Sequence, residues 1–145
     1  MKKVEIYCDG SSLGNPGFGG YCAILRYKKQ EKILCGAVSH TTNNRMELLA
    51  VIEAIKALKE PCQITIYSDS RYVCDGVEKW IFHWIKKDFK NVKNPDLWRE
   101  FLRVSLHHEI QTHWIKGHSN HAENEKCDTI AREQAKKLKE QYAKS

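Results

Sequence analysis

Two aspartates close near-identical runs. Asp9 ends Val4-Glu5-Ile6-Tyr7-Cys8-Asp9, just ahead of Gly10, and Asp69 ends Ile64-Thr65-Ile66-Tyr67-Ser68-Asp69. Both runs are strand-like, alternating and rich in β-branched and aromatic residues. If the two strands pair in one sheet, they lie about 4.8 Å apart and both carboxylates reach the same rim. Two ionised acids so close repel, and one must take a proton unless a divalent cation neutralises them. A single aspartate at a strand end is commonly a turn residue and nothing more. A matched pair points to a cation.

Further acids and one histidine extend the set. Glu47 falls near the start of a segment at 45–58 that is rich in helix formers and free of Gly and Pro. That helix is apolar nearly all round, so it belongs against a sheet. A carboxylate in its first turn could serve the helix dipole alone; buried there, it needs hydrogen-bond donors or a cation. Asp128 borders the apolar stripe Cys127, Ile130, Ala131, Leu138 of a helix running from 122 to about 138, with a charged tail expected to fray. His118 follows Trp114-Ile115-Lys116-Gly117, an apolar strand leading into a loop.

The elements needed to gather these groups can be read in order. Strands are expected at 3–9, 20–27 and 32–39, joined by the turn-rich Gly14-Asn15-Pro16-Gly17 region and by Lys28-Lys29-Gln30-Glu31. They should form an antiparallel meander. The helix at 45–58, stopped by Pro61, then crosses to a strand at 63–67. Such a crossover favours parallel pairing with the first strand, which sets Asp9 and Asp69 at the same end. Helices, a fifth strand and the last helix follow. The expected class is α/β.

Composition narrows the rest. At 145 residues the chain fits one domain, 1–145, and can bury a substantial core. The net charge of +6 favours polyanionic partners. No apolar stretch is long enough to span a bilayer. The first residues pass straight into a strand pattern without a signal-peptide segment, so a cytoplasmic, stand-alone protein is expected. Cys8, Cys22, Cys35, Cys62, Cys74 and Cys127 form no C-x-x-C and read as small buried hydrophobes, not as a disulfide or zinc framework.

Between 71 and 106 aromatic and basic residues interleave. Trp80, Trp84, Phe89 and Trp98 alternate with Lys79, Lys86, Lys87, Lys90, Lys93, Arg99 and Arg103. Aromatic platforms among cations suit a nucleic-acid backbone. Trp80 and Trp84, one helical turn apart, could instead simply pack their helix, and surface lysines are commonly a solvated face.

The strings Asp9-Gly10-Ser11, Gly14-Asn15-Pro16-Gly17, Thr41-Thr42-Asn43-Asn44-Arg45-Met46-Glu47, Asp69-Ser70, Trp80-Ile81, Lys116-Gly117-His118 and Glu123-Asn124-Glu125-Lys126-Cys127-Asp128 occur in that order along essentially the whole chain. Together they resemble type 1 ribonuclease H of the bacterial kind. The resemblance implies a ribonuclease H-like fold: a mixed five-stranded sheet, three antiparallel strands and then parallel ones, flanked by helices. It implies an endonuclease that hydrolyses the RNA strand of RNA–DNA hybrids with divalent metal, leaving 3′-hydroxyl and 5′-phosphate ends. Asp9, Glu47, Asp69 and Asp128 would bind metal, and His118 would handle protons or product release. Asn15, Asn43, Asn44 and Arg71 would line the minor groove. Trp80, Trp84, Lys86, Lys87 and Phe89 would belong to a handle on the DNA strand, with Thr42 and Asn94 forming a DNA-phosphate pocket.

Phosphodiester hydrolysis fits those acids. Two ions about 3.5–4 Å apart can activate water and stabilise the leaving oxygen. Asp9 is the natural bridge between them, and all-oxygen ligation suits Mg²⁺, with Mn²⁺ able to substitute. No obligate protein partner is expected, and the chain reads as a monomer. The handle is shorter than in familiar bacterial members, His40 replaces a commonly basic residue, and Arg71 stands where a neutral amide is frequent. Two alternatives stay open: a hybrid-binding module without catalysis, and a DNA-acting nuclease of the same fold.

Overall fold

Apolar residues at alternate positions drive the first strand, β1 (Lys2–Ser12), which turns Val4, Ile6 and Cys8 to one face of a sheet. A computed structural model describes residues 1–117 and 121–144. β2 (Gly17–Tyr27) and β3 (Gln30–Thr41) complete the expected antiparallel meander, with Asp9 opposite Cys22 and Cys22 opposite Cys35. Helix α1 (Asn43–Lys56) crosses over the sheet to β4 (Cys62–Ser68), which pairs parallel to β1. Next come α2 (Arg71–Asp75), a π-helical turn (Gly76–Trp80), α3 (Ile81–Lys86) and α4 (Pro95–Ser105). β5 (Glu109–Trp114) joins β4 in parallel, and α5 (Ala122–Lys144) closes the fold. The sheet order is β3-β2-β1-β4-β5.

The core lies between α1 and the sheet. Leu48, Val51, Ile52 and Ile55 pack over Val4, Ile6, Ile64 and Ile66, and Trp98 and Phe101 of α4 extend the same cluster. On the opposite face α5 presents small residues, Cys127, Ala131 and Ala135, to β1 and β2. It comes so close that a Cβ on Gly20 would overlap the Ala131 carbonyl oxygen.

Several expectations change in detail. The first helix starts at Asn43 and ends at Lys56, because Thr42, with φ of −126°, accepts from Arg45 N at 3.3 Å and is the cap. Glu47 therefore sits in the second turn, beyond the reach of a dipole role. The last helix does not fray after Leu138 but continues through Lys144, where Tyr142 packs edge-on to Phe18 at 5.2 Å. β5 is a largely exposed edge strand, not an apolar one; Glu78 Oε1 accepts from Thr112 N at 2.6 Å and so occupies part of its open edge. Five of the cysteines are buried as expected, but Cys35 is exposed on β3. Among the described residues no helix is long and apolar enough to cross a membrane.

Candidate active site

Parallel pairing of β1 with β4 sets Tyr7 opposite Tyr67, and their rings stack at 4.8 Å. Two residues further along each chain come Asp9 and Asp69, so the register itself brings the acids to one rim. The third acid arrives from α1. Gly10 makes this possible: a Cβ there would collide with the backbone of Met46 and Glu47. The helix crosses the end of β1 in direct contact, and Gly10 N–H donates to Glu47 Oε1 at 2.5 Å and to Asp9 Oδ1 at 2.9 Å.

One ligand oxygen from each of Asp9, Glu47 and Asp69 falls within 4.8 Å of the other two. Asp9 and Glu47 are each only 7% exposed, whereas Asp69 stands at the open rim. Burial, joined by the charges of Asp69 and Asp128, pushes the Asp9 carboxyl from 3.8 up to about 6. Glu47 is pushed well above the ordinary carboxylate range by burial and by its hydrogen-bonded neighbour Asp9. Glu47 Oε2 is buried with no hydrogen-bond partner among the described residues. A hard divalent cation fits this set, since it takes oxygen donors, uses the orphaned atom and relieves the repulsion.

Asp128 lines the same cleft of about 400 Å³ but lies outside the tight group of three. It is half-buried and accepts from Arg132 at 2.6 Å. Its helix is tied down by two side chains. Asn124 Nδ2 donates to the Tyr67 carbonyl at 3.2 Å, and Cys127 Sγ donates to the Tyr7 carbonyl at 3.4 Å. Asn124 also lines the cleft. It stands one helical turn before Asp128, a spacing that assigns both to one face and could have marked it in advance. Lys116, His121 and Glu125, likewise on the cleft wall, carry no such signal.

The remaining expected residues divide into groups. Asn43 and Asn44 line the cleft. Asn43 Oδ1 accepts from Ser12 N at 2.6 Å, and Asn15 Oδ1 accepts from Asn43 N at 3.0 Å, so Asn15 braces the entrance of α1. The Arg71 guanidinium carbon sits over the Trp114 ring, 4.0 Å from its centroid, and Trp114 Nε1 donates to the Asp69 carbonyl at 3.1 Å. Arg71, Trp80 and Trp84 share a second hollow of about 300 Å³ with Tyr72 and Asp75. Trp80 is exposed, while Trp84 packs on Trp98 with ring centroids 5.0 Å apart. Lys86 and Lys87 are exposed. Phe89 turns inward and is buried beneath Arg99, so its ring packs the segment and does not offer a face to a ligand. Thr42 caps α1, and Asn94 Oδ1 accepts from Arg45 at 3.1 Å. His118 lies outside the described residues.

The sequence profile of the RNase H family matches residues 1–136. The chain is 61% identical over 137 residues to Ribonuclease HI of Helicobacter pylori (strain ATCC 700392 / 26695), covering 94% of this chain and 96% of that protein. Ribonuclease HI of Campylobacter jejuni subsp. jejuni serotype O:2 is 55% identical over 138 residues, covering 95% and 94%. Among solved structures, LC9-RNase H1, described as a type 1 RNase H with the type 2 active-site motif, superposes with a TM-score of 0.85 at 29% identity, covering 93% of this chain and 72% of that one.

Proposed function

The chain belongs to the ribonuclease H family, and from that premise we propose that it is a metal-dependent endoribonuclease cutting the RNA strand of RNA–DNA hybrids. The observation that carries this reading is the group of Asp9, Glu47 and Asp69, gathered within 4.8 Å with a buried oxygen of Glu47 left without a partner. Asp9, Glu47, Asp69 and Asp128 would hold two Mg²⁺ ions, with Mn²⁺ able to replace Mg²⁺. Ions bound there would lower the pKa of the attacking water and offset charge on the departing 3′-oxygen.

The protein's own groups do the positioning. Gly10 N–H fixes the Asp9 and Glu47 carboxylates against each other. Asn43 and Asn44 on the cleft wall, braced by Asn15, are placed to test for a 2′-hydroxyl, which only the RNA strand carries. Trp80, Trp84, Lys86 and Lys87 supply aromatic and cationic contacts for the DNA strand, Thr42 and Asn94 form a pocket for a DNA phosphate, and Arg71 adds a cation on the minor-groove side. His118 handles a proton or aids product release. The protein acts as a cytoplasmic monomer, a single unit over 1–145, without an obligate protein partner.

A labelled RNA–DNA hybrid, double-stranded RNA and duplex DNA, each with and without Mg²⁺, provide the test. RNA fragments from the hybrid alone, and only with the cation, are expected. Binding without cleavage would identify a hybrid-binding module, and cutting of duplex DNA would identify a DNA-acting nuclease.

A further inference from the structure

Arg45 lies on α1 two residues ahead of Glu47, yet its guanidinium turns to a different part of the molecule. Nη1 donates to Asn94 Oδ1 at 3.1 Å and to Asp96 Oδ1 at 3.0 Å, and Nη2 donates to Asp96 Oδ2 at 2.7 Å. Asn94 Nδ2 in turn donates to the Tyr72 hydroxyl at 3.0 Å. That hydroxyl also accepts from Trp98 Nε1 at 2.9 Å and donates to the Lys93 carbonyl at 3.4 Å. A guanidinium and an indole can only donate. The Asn94 oxygen must therefore face Arg45, and the Tyr72 proton must point to Lys93. One proton arrangement satisfies the whole chain of bonds, which runs from α1 through Asn94 to α2 and back to Lys93.

The segment gripped in this way carries Lys86, Lys87, Lys90 and Lys93. Its backbone is unusual: Asp88, Phe89, Asn91 and Asn94 have φ of 50°, 59°, 62° and 55°. Asp and Asn enter that region readily, but an aromatic residue such as Phe89 holds it only where its surroundings enforce it. Arg99 secures the near end by donating to Asp88 Oδ1 at 3.2 Å and to the Asp88 carbonyl at 3.0 Å, with its guanidinium over the Phe89 ring at 5.0 Å. Arg99 belongs to α4, whose Trp98 and Phe101 pack with Phe89 in the core shared with α1. The Arg45 fork adds to that apolar contact a directional polar tie between the segment and the helix that carries Glu47.

We propose that Arg45, acting through Asp96 and Asn94, is a positioning residue that sets the distance between the basic segment and the carboxylates. It would thereby fix which RNA phosphate is cut relative to the DNA phosphates that are held. The proposal rests on the assignment of the basic segment as the DNA-strand contact. A hybrid is stiff and its phosphates are evenly spaced, so two protein contacts at a fixed separation select one scissile position. A misplacement of about 1 Å at a reacting centre can cost about 10²-fold in rate.

The test follows cut positions on a short end-labelled hybrid under single-hit conditions, where the cuts nearest each end report the distance between grip and cleavage. Arg45→Gln and Asp96→Asn are expected to shift or spread those cuts, with KM raised about tenfold and kcat lowered by less. Arg45→Lys should recover the pattern only in part, since an ammonium cannot form a two-toothed fork. A lower melting temperature with the parent's cut positions and KM would assign Arg45 a purely structural role and overturn the proposal. If Arg45→Gln does not fold, Asp96→Asn, at an exposed position, gives the same readout. Replacing Lys86, Lys87, Lys90 and Lys93 by Ala separates the two assignments. Unchanged hybrid affinity in that variant removes the DNA-strand assignment and the register proposal together. Weakened affinity there, alongside parental cut positions in both Arg45→Gln and Asp96→Asn, removes the register proposal alone.

Discussion

Asp9 and Glu47 bring two carboxyls into a nearly dry corner, and their fate depends on what else is bound there. In the metal-free protein the Asp9 carboxyl titrates at about 6, against 3.8 for the ordinary group. The folded state therefore holds the proton more tightly than the unfolded chain does. The resulting stabilisation is fully present below about pH 4 and is lost as pH rises through about 6. Denaturant melts in a chelator should show stability falling by about 3 kcal/mol over that interval from this group. Asp9→Asn should flatten the dependence, raise metal-free stability at pH 7 and abolish cleavage, because an amide cannot hold two cations. Residual cleavage by the purified variant, or an unaltered pH profile, would count against the assignment. His118→Ala should lower turnover by about 10²–10⁴-fold while hybrid affinity holds. An unchanged turnover number at saturating hybrid would remove His118 from the proton path.

Helix α5 places Asp128, and its hold on the sheet is specific. Asn124 and Cys127 donate to the carbonyls of Tyr67 and Tyr7, paired positions just ahead of Asp69 and Asp9. Asn124→Ala should cost about 1 kcal/mol by leaving the Tyr67 carbonyl its long contact with Cys8 Sγ at 3.7 Å in place of the amide donor, read as a lower unfolding midpoint in urea. An unmoved midpoint would show that the Asn124 bond adds nothing to the hold of the helix on the sheet. What could be read from the sequence follows the range of the interactions involved. That Asp9 and Asp69 meet at one rim and that Glu47 is deep rest on local alternation and on an all-round apolar helix, so they were legible, although β1 runs on past Asp9 to Ser12 through its pairing with β2. The choice of Thr42 over Asn43 as cap was not, because both are good caps and the contact between Asn43 and Ser12 decides between them. Neither was the inward turn of Phe89, which depends on left-handed backbone at non-glycine residues with no sequence signature. The full length of α5 and the Arg45 fork both depend on partners distant in the chain.

At the scale of the whole molecule, a net charge of +6 coexists with a cleft walled by carboxylates. Lysines outside the cleft draw a polyanion in, and the acids then require cations before a phosphate can approach them. In an Asp9→Asn background, replacing Lys86, Lys87, Lys90 and Lys93 by Ala should flatten the dependence of log K on log salt by about 0.7–0.9 for each phosphate no longer neutralised. A slope that does not move would mean that the groove asparagines and the cations carry binding. The distribution of thiols has a separate, practical consequence. Cys8, Cys22, Cys62, Cys74 and Cys127 are buried, whereas Cys35 alone is exposed, on the outer strand of the meander. It sits level with Asp9 but two strands away, about 10 Å across the sheet. A maleimide dye would therefore attach at one place without any cysteine being removed, close enough to register the arrival of a hybrid and far enough to leave the cleft clear.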